Sequence, residues 1–555
     1  MVKGFFCSLR SGITVSAVLL FVQAGDPCLQ AQQVYNYFYR VYFRDKGAAD
    51  PSQYNLSGLF SRRAVGRRAR NGNPDPDMQD LPVNRDYLDQ VTALGFTLHC
   101  TSRWMNSVLL KTEAPADTGP VSSLPFVSEV RLVKDPAAKG LFRDKLDLEP
   151  DQGGLSPYDR PMTMINALSV HNSGFTGEGV EIAILDAGFT GADRIESLQP
   201  LRQRLGIRGT YDFVKGNSFV YDYHYHGTAV MSVLAGSVPD LLSGSAPGAS
   251  YWLLRTEDPE TEFPAEEDYW ATGAEFADSA GADIISSSLG YFNFDDPSMN
   301  YKYSDLDGRS AFVTRVADMA ASRGMLVVNS AGNERDSYWI HIIAPADGES
   351  VIAVGAVDGD KIISDFSSAG PSYDGRVKPD VVAQGVSVPV QFDPGIVSRA
   401  AGTSFSCPVI SGLCACVLQA VPAAMPADII TAVRSAADRF LHPDSLYGYG
   451  IPDFTEVISG LQDKLLRKPV NEPLVFPNPF DSEVSIVFTA IPNKLRIEVF
   501  SLSGKLIFER DLAEYISRSF ILADFGQIQD GVYLLRMSTP SGIFTKKIIK
   551  IGNRP

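Results

Sequence analysis

Cysteine is scarce in this chain, with 6 in 555 residues, and their spacing gives no disulfide framework. Cys7 and Cys28 lie near the N-terminus, Cys100 stands alone, and Cys407, Cys414 and Cys416 share one apolar segment. Seven residues of helix span about 10 Å, too far to bridge Cys407 to Cys414. These cysteines read as small core residues, and stability has to come from burial. Basic charge is also in short supply: 49 Lys and Arg face 65 Asp and Glu, a net charge of -16. That balance excludes nucleic acid or an anionic membrane as the natural partner, because either would want a basic face.

Long hydrophobic runs are missing as well, apart from Ile13 to Val22, which follows Lys3 and Arg10. A run that short behind basic residues reads as a signal peptide, residues 1–31, ending in Leu29-Gln30-Ala31. Cys28 follows Pro27, where a lipoprotein signal would want a small residue. No other run is long and apolar enough to span a bilayer. The reading is an exported protein, secreted or held at the cell surface.

What is present is ample core: 45% hydrophobic residues against 21% charged ones, over a length that suits three or four units. From Val34 to Val133 the pattern is that of a small α+β domain. Tyr35-Tyr37-Tyr39-Val41-Phe43 alternates as a half-buried strand should, and Pro82 to Leu94 reads as a helix. Phe96-Leu98, Val108-Leu110 and Val127-Val130-Leu132 read as strands, and the arginines Arg62, Arg63, Arg67, Arg68 and Arg70 as a basic linker. Asp144 to Gly154 is charged and glycine-rich, like an exposed, cuttable connection. Between Gly179 and Ile451 the texture changes to short apolar runs separated by helical stretches near Asp268–Ala280 and Ser310–Arg323. The runs include Val180–Leu185, Ala282–Ser286, Met325–Val328, Val351–Val354 and Val381-Val382. That is α/β: a mainly parallel sheet with helices on both faces, whose functional residues belong at the carboxyl ends of its strands. From Pro473 onward, alternating runs and turn signals such as Gln529-Asp530-Gly531 predict a small all-β sandwich.

At those strand ends sit four chemical candidates. Leu185-Asp186-Ala187-Gly188 closes one strand, and Asp186 is either an acid in a site or part of an ordinary turn. His226-Gly227-Thr228 opens a helix, and His224 and His226 are two of only 6 histidines. HExxH is absent and no nearby cysteine or histidine completes a zinc set, so no metal is assigned to the pair. Asn333, in Asn329-Ser330-Ala331-Gly332-Asn333, is either a turn residue or an amide donor to a developing oxyanion. Ser404 follows Gly402-Thr403 at the head of an apolar helix, as a cap or as a nucleophile served by the positive end of the helix dipole. The chain order Asp, His, Ser differs from that of the α/β-hydrolases, and their Gly-x-Ser-x-Gly elbow is missing here.

Residues 155–462 resemble the subtilisin-like serine peptidases in Asp186-Ala187-Gly188, His226-Gly227-Thr228, Ser288-Leu289-Gly290, Ala331-Gly332-Asn333 and Gly402-Thr403-Ser404-Phe405-Ser406-Cys407-Pro408. Ala187 stands where the family usually has Thr or Ser, and Phe405-Ser406 where Met-Ala is commoner. The resemblance implies Ser404 as nucleophile, His226 as base and then acid, and Asp186 as its orienting partner. It also implies Asn333 in the oxyanion hole and Ser288, Leu289 and Gly290 as a backbone edge for substrate. It further implies protein or peptide substrates, no required cofactor, and a structural calcium as a common family feature, although the acidic residues are too scattered to name its site. The flanks resemble the same family's propeptide (residues 32–150), which acts as an inhibitor until cut, and a type IX secretion sorting domain (residues 470–555). The latter rests on Phe476-Pro477-Asn478-Pro479 and the stretch from Gly531-Val532-Tyr533 to Ile551. The expected protein is a monomeric secreted serine endopeptidase matured by propeptide cleavage. The rival is an inactive fold of the same type used as a surface binding module.

Overall fold

The computed structural model describes residues 36–73, 75–138, 160–467, 473–488, 491–515, 519–523, 528–540 and 542–551. The expected signal peptide (residues 1–31), the charged connection Asp144 to Gly154 and residues 468–472 of the second linker lie outside the described residues.

The first domain is a four-stranded antiparallel sheet of β1 (Tyr37–Phe43), β2 (Thr97–Ser102), β3 (Ser107–Thr112) and β4 (Val127–Lys134), ordered β2-β3-β1-β4. Two of its helices are α1 (Arg62–Arg70) and α2 (Arg85–Thr92). Its central strand is buried on both faces, which simple alternation does not reveal. Tyr39, Val41 and Phe43 enter the domain's own core, while Phe38 joins the core of the next domain. The arginines expected to form a basic linker form α1 instead. Ser61 caps it by accepting from the Ala64 N–H, and Arg67 and Arg68 are buried. Five arginines so close together look solvated in sequence, and Arg62, Arg63 and Arg70 are exposed; the buried acidic partner on the next domain is what makes Arg67 and Arg68 interior.

That next domain holds a seven-stranded sheet: β5 (Glu181–Asp186), β6 (Ile207–Asp212), β7 (Ser250–Arg255), β8 (Ile284–Ser287), β9 (Leu326–Ser330), β10 (Val351–Val357) and β11 (Val381–Gln384). The order is β11-β10-β9-β8-β5-β7-β6, and every pairing is parallel. Side chains alternate across a strand, so β5 feeds two cores. Ile182 and Ile184 meet α3 (His226–Ala235) and α6 (Thr403–Ala420); Ala183 and Leu185 meet α4 (Ala265–Ala280) and α5 (Phe312–Ser322). This is the expected sheet covered on both faces. Cys407, Cys414 and Cys416 are free and buried in α6.

Arg40 of β1 donates through Nε to Asp268 Oδ2 at 2.8 Å and through Nη2 to the Pro264 carbonyl at 2.7 Å. Asp278 on α4 takes Arg68 at 2.6 Å and Arg103 at 2.9 Å, and also pairs with Arg67. Glu275 accepts from the Ser102 hydroxyl at 2.6 Å and from the Arg103 and Trp104 N–H groups. Burial would raise the Asp278 carboxyl, but its three arginines hold it below the usual range. The first domain is thus seated on α4 through ion pairs removed from water.

The C-terminal domain has a three-stranded sheet (Leu474–Phe476, Val484–Val487, Ser519–Leu522) and a four-stranded one (Leu506–Tyr515, Asn493–Ser501, Gly531–Thr539, Gly542–Lys550). Both are antiparallel, and they share one apolar core. The all-β sandwich is as expected.

Candidate active site

Four strand or helix ends meet at one edge of the parallel sheet. β5 ends on Asp186, α3 begins at His226, β9 runs out into Ala331-Gly332-Asn333, and the second residue of α6 is Ser404. Asp186 is fully buried, and its Oδ1 takes two donors at 2.8 Å, His226 Nδ1 and the Ala187 N–H. With Nδ1 committed to the carboxylate, the imidazole presents Nε2 to the cleft. Gly227 is what lets the two elements approach. A Cβ there would come within 2.5 Å of the Gly188 carbonyl and 3.0 Å of the Asp186 Cβ.

His224 does not share the role of His226. Its Nδ1 accepts from the His226 backbone N–H at 3.2 Å, and its ring stacks on Tyr225 with centroids 4.5 Å apart. Tyr225, the residue preceding the helix, makes no side-chain cap bond, so His224 covers the first orphan N–H of α3.

Ser404 is buried to all but 8%, and its Oγ points to the Ser288 carbonyl at 3.5 Å. The Ser288 hydroxyl returns a bond to the Ser404 carbonyl at 3.0 Å, tying the head of α6 to the segment after β8. Leu289 is fixed by its carbonyl, which accepts from Asn329 Nδ2 at 2.9 Å, and Gly290 is part-exposed at the cleft. Asn333 Oδ1 accepts from the Thr403 N–H and from the Thr403 hydroxyl, each at 2.9 Å. Thr403, whose sequence signal is its place beside Ser404 at the head of α6, is what holds the Asn333 amide. The capping bond of His224 is set by how the chain turns into α3 and is not legible in the sequence.

Among the described residues one acidic group, Glu257, Glu262 and Glu266, brings carboxylate oxygens within 4.8 Å of one another. It supplies three of the six to eight oxygens that calcium takes. Tyr291 Oη already donates to Glu257 at 2.9 Å.

A parallel sheet with Asp186 at the end of one strand, His226 bonded to it and Ser404 near the head of a buried helix fits a hydrolase of the serine type, the class to which comparison with known proteins assigns the chain. The "Subtilase family" profile matches residues 177–450, and the chain belongs to that family. Two further profiles match its flanks: "Peptidase S8 propeptide domain, Bacteroidota" over 38–145 and "Secretion system C-terminal sorting domain" over 474–551. Among curated proteins the chain is 31% identical to Subtilisin E of Bacillus subtilis over 323 residues, covering 58% of this chain and 75% of that one. It is 30% identical to Subtilisin of Bacillus pumilus over 298 residues, 53% of this chain and 96% of that one. It is 29% identical to Subtilisin Savinase of Lederbergia lenta over 291 residues, 52% of this chain and 94% of that one. The protein is therefore a serine-type endopeptidase with a propeptide and a sorting domain, secreted or at the cell surface.

Proposed function

We propose that the endopeptidase works through an acyl-enzyme formed on Ser404. The observation that carries this reading is the 2.8 Å bond from His226 Nδ1 to the buried Asp186. Asp186 fixes the tautomer, so His226 Nε2 takes the Ser404 proton as Oγ attacks the scissile carbonyl. Negative charge on the carbonyl oxygen is met by Asn333 Nδ2 and the Ser404 backbone N–H, at the positive end of α6. The amine leaves with the proton from His226, and water, deprotonated by the same histidine, releases the acid. Ser288, Leu289 and Gly290 supply a backbone edge against which the peptide lies as an added strand.

No cofactor enters these steps. A structural calcium would draw on Glu257, Glu262 and Glu266 and take its remaining oxygens from backbone or water.

The functional division we propose is a signal over 1–31, a propeptide over 32–150 that inhibits until cut, a catalytic domain over 155–462 and a sorting domain over 470–555. The enzyme acts as a monomer on protein or peptide substrates, and the C-terminal domain hands it to the secretion machinery. The mature enzyme begins between Val133 and Pro161, and the tail beyond Pro473 is dispensable for chemistry but needed for export. Fluorophosphonate labelling of the secreted enzyme, followed by N-terminal sequencing, tests the reading. Label on Ser404 and a start in that window are expected. An unlabelled serine in a cleaved, folded enzyme would refute the acyl-enzyme.

A further inference from the structure

The loop Glu334–Pro345, which follows Asn333, does more than border the cleft. Its residues 342–344 are stitched as an extended segment between the two walls of the site. Ile343 N–H donates to the Ala331 carbonyl at 3.2 Å, and Ala344 and Tyr291 exchange both backbone bonds, at 3.1 and 2.8 Å. Ile342 N–H donates to Ala369, and the buried Trp339 braces the turn from behind, its Nε1 donating to the Ile342 carbonyl at 3.0 Å. The Ile343 backbone therefore cannot swing away without breaking bonds to both walls.

Its side chain lies between two glycines. A Cβ built on Gly290 would collide with Ile343 Cδ1 and Cγ1, 2.5 Å from the latter. One built on Gly332 would fall 2.9 and 3.0 Å from the same two atoms and 2.8 Å from the Ser368 hydroxyl. Gly290 ends the substrate edge, and Gly332 precedes the oxyanion donor Asn333. A peptide laid along Gly290, with its carbonyl between Ser404 and Asn333, has one place for the side chain of the residue that forms the acyl group. That place is the gap between segments 288–290 and 331–333. Ile343 fills its depth.

We infer that Ile343 is the residue that sets specificity, closing this subsite so that the enzyme cleaves after residues with small side chains (Gly, Ala, Ser) and rejects large apolar and aromatic ones. The inference rests on the acyl-enzyme reading and names its substrate class. Excluding a side chain from a filled pocket is a steric effect, and even one surplus methylene in a tight pocket changes kcat/KM by about 10-fold or more.

The test uses the secreted mature enzyme and tetrapeptide p-nitroanilides that differ only in the last residue: Gly, Ala, Leu or Phe. The native enzyme is expected to favour Ala over Phe by at least about 10-fold in kcat/KM. Ile343→Gly is expected to raise the Phe rate by at least about 10-fold while the Ala rate stays within about threefold. Active enzyme is counted by fluorophosphonate titration, and Ile343→Ala serves if the glycine variant does not fold. Equal native rates on Ala and Phe would overturn the inference, as would an unmoved Phe-to-Ala ratio in a titrated variant. Failure to cleave any peptide, with Ser404 unlabelled, would instead overturn the acyl-enzyme reading itself.

Discussion

Thr403 holds Asn333 by two bonds, the backbone N–H and the hydroxyl of Thr403 each donating to Asn333 Oδ1 at 2.9 Å. Two donors on one atom fix which end of the amide is oxygen. The other end, Nδ2, is left as a preset donor beside the head of α6. Asn333→Asp keeps an acceptor for Thr403 and loses the donor, so fold and KM should persist while turnover falls by roughly 10² to 10³. Ser404→Ala should cost roughly 10⁶ and leave the precursor uncut if maturation is by self-cleavage. Steady-state kinetics and a gel of the secreted product read both. An Asn333→Asp enzyme at native turnover would remove the amide from the mechanism.

His224 and His226 lie two positions apart and are joined by a hydrogen bond, yet only one should be indispensable. His224 Nδ1 caps the His226 N–H, a role that an asparagine oxygen could fill. His226→Ala should abolish turnover, His224→Ala should lower it far less, and His224→Asn should recover most of that loss. Activity lost in His224→Ala and retained in His226→Ala would reverse the assignment of the base.

Asp278 is the buried anchor of the propeptide, with Arg67, Arg68 and Arg103 converging on it. Removing it leaves the buried Arg67 without its carboxylate, while Arg68 keeps Asp80 and Arg103 keeps Glu275. Asp278→Ala should therefore weaken the uncut Ser404→Ala precursor by about 3 kcal/mol, the low end for a broken buried pair. The exposed pair Arg85–Asp89, at 3.0 Å, is the control. Asp89→Ala should cost no more than about 0.5 kcal/mol. Urea unfolding of the two variants separates them, and equal midpoints would discount the buried network.

His99 on β2 gives the propeptide contact a dependence on acid. It sits against Phe38 and Tyr269, bonds through Nε2 to the Phe213 carbonyl at 3.1 Å, and is pushed by burial from 6.5 to about 4. A depressed histidine contributes stability that is whole above pH 6.5 and is lost as the pH falls toward about 4, at most about 3 kcal/mol. Glu267, Asp268 and Glu275, raised by burial, act in the opposite direction as acid protonates them. The histidine is therefore isolated by comparing the Ser404→Ala precursor with and without His99→Gln. The native side chain should show the steeper loss between pH 6.5 and 4; parallel curves would refute it.

The sequence by itself determined the elements and their chemistry. Period-two and continuous apolar runs separate sandwich from parallel sheet because burial on one face or two leaves its mark residue by residue. Gly227 marks a close approach that a side chain would obstruct, and Gly402 takes a φ of +147° that other residues rarely adopt. Asp186, His226, Asn333 and Ser404 are candidates in the sequence because they sit at strand and helix ends in such motifs. Tertiary structure decided what depends on a partner distant along the chain. Arg67 and Arg68 are buried only because Asp278 awaits them some 210 residues away, and local composition carries no trace of that. Phe38 and Arg40 turn β1 into a strand buried on both faces for the same reason. Ile343 is one more aliphatic residue in sequence; only the convergence of Gly290 and Gly332 makes it the floor of a cleft.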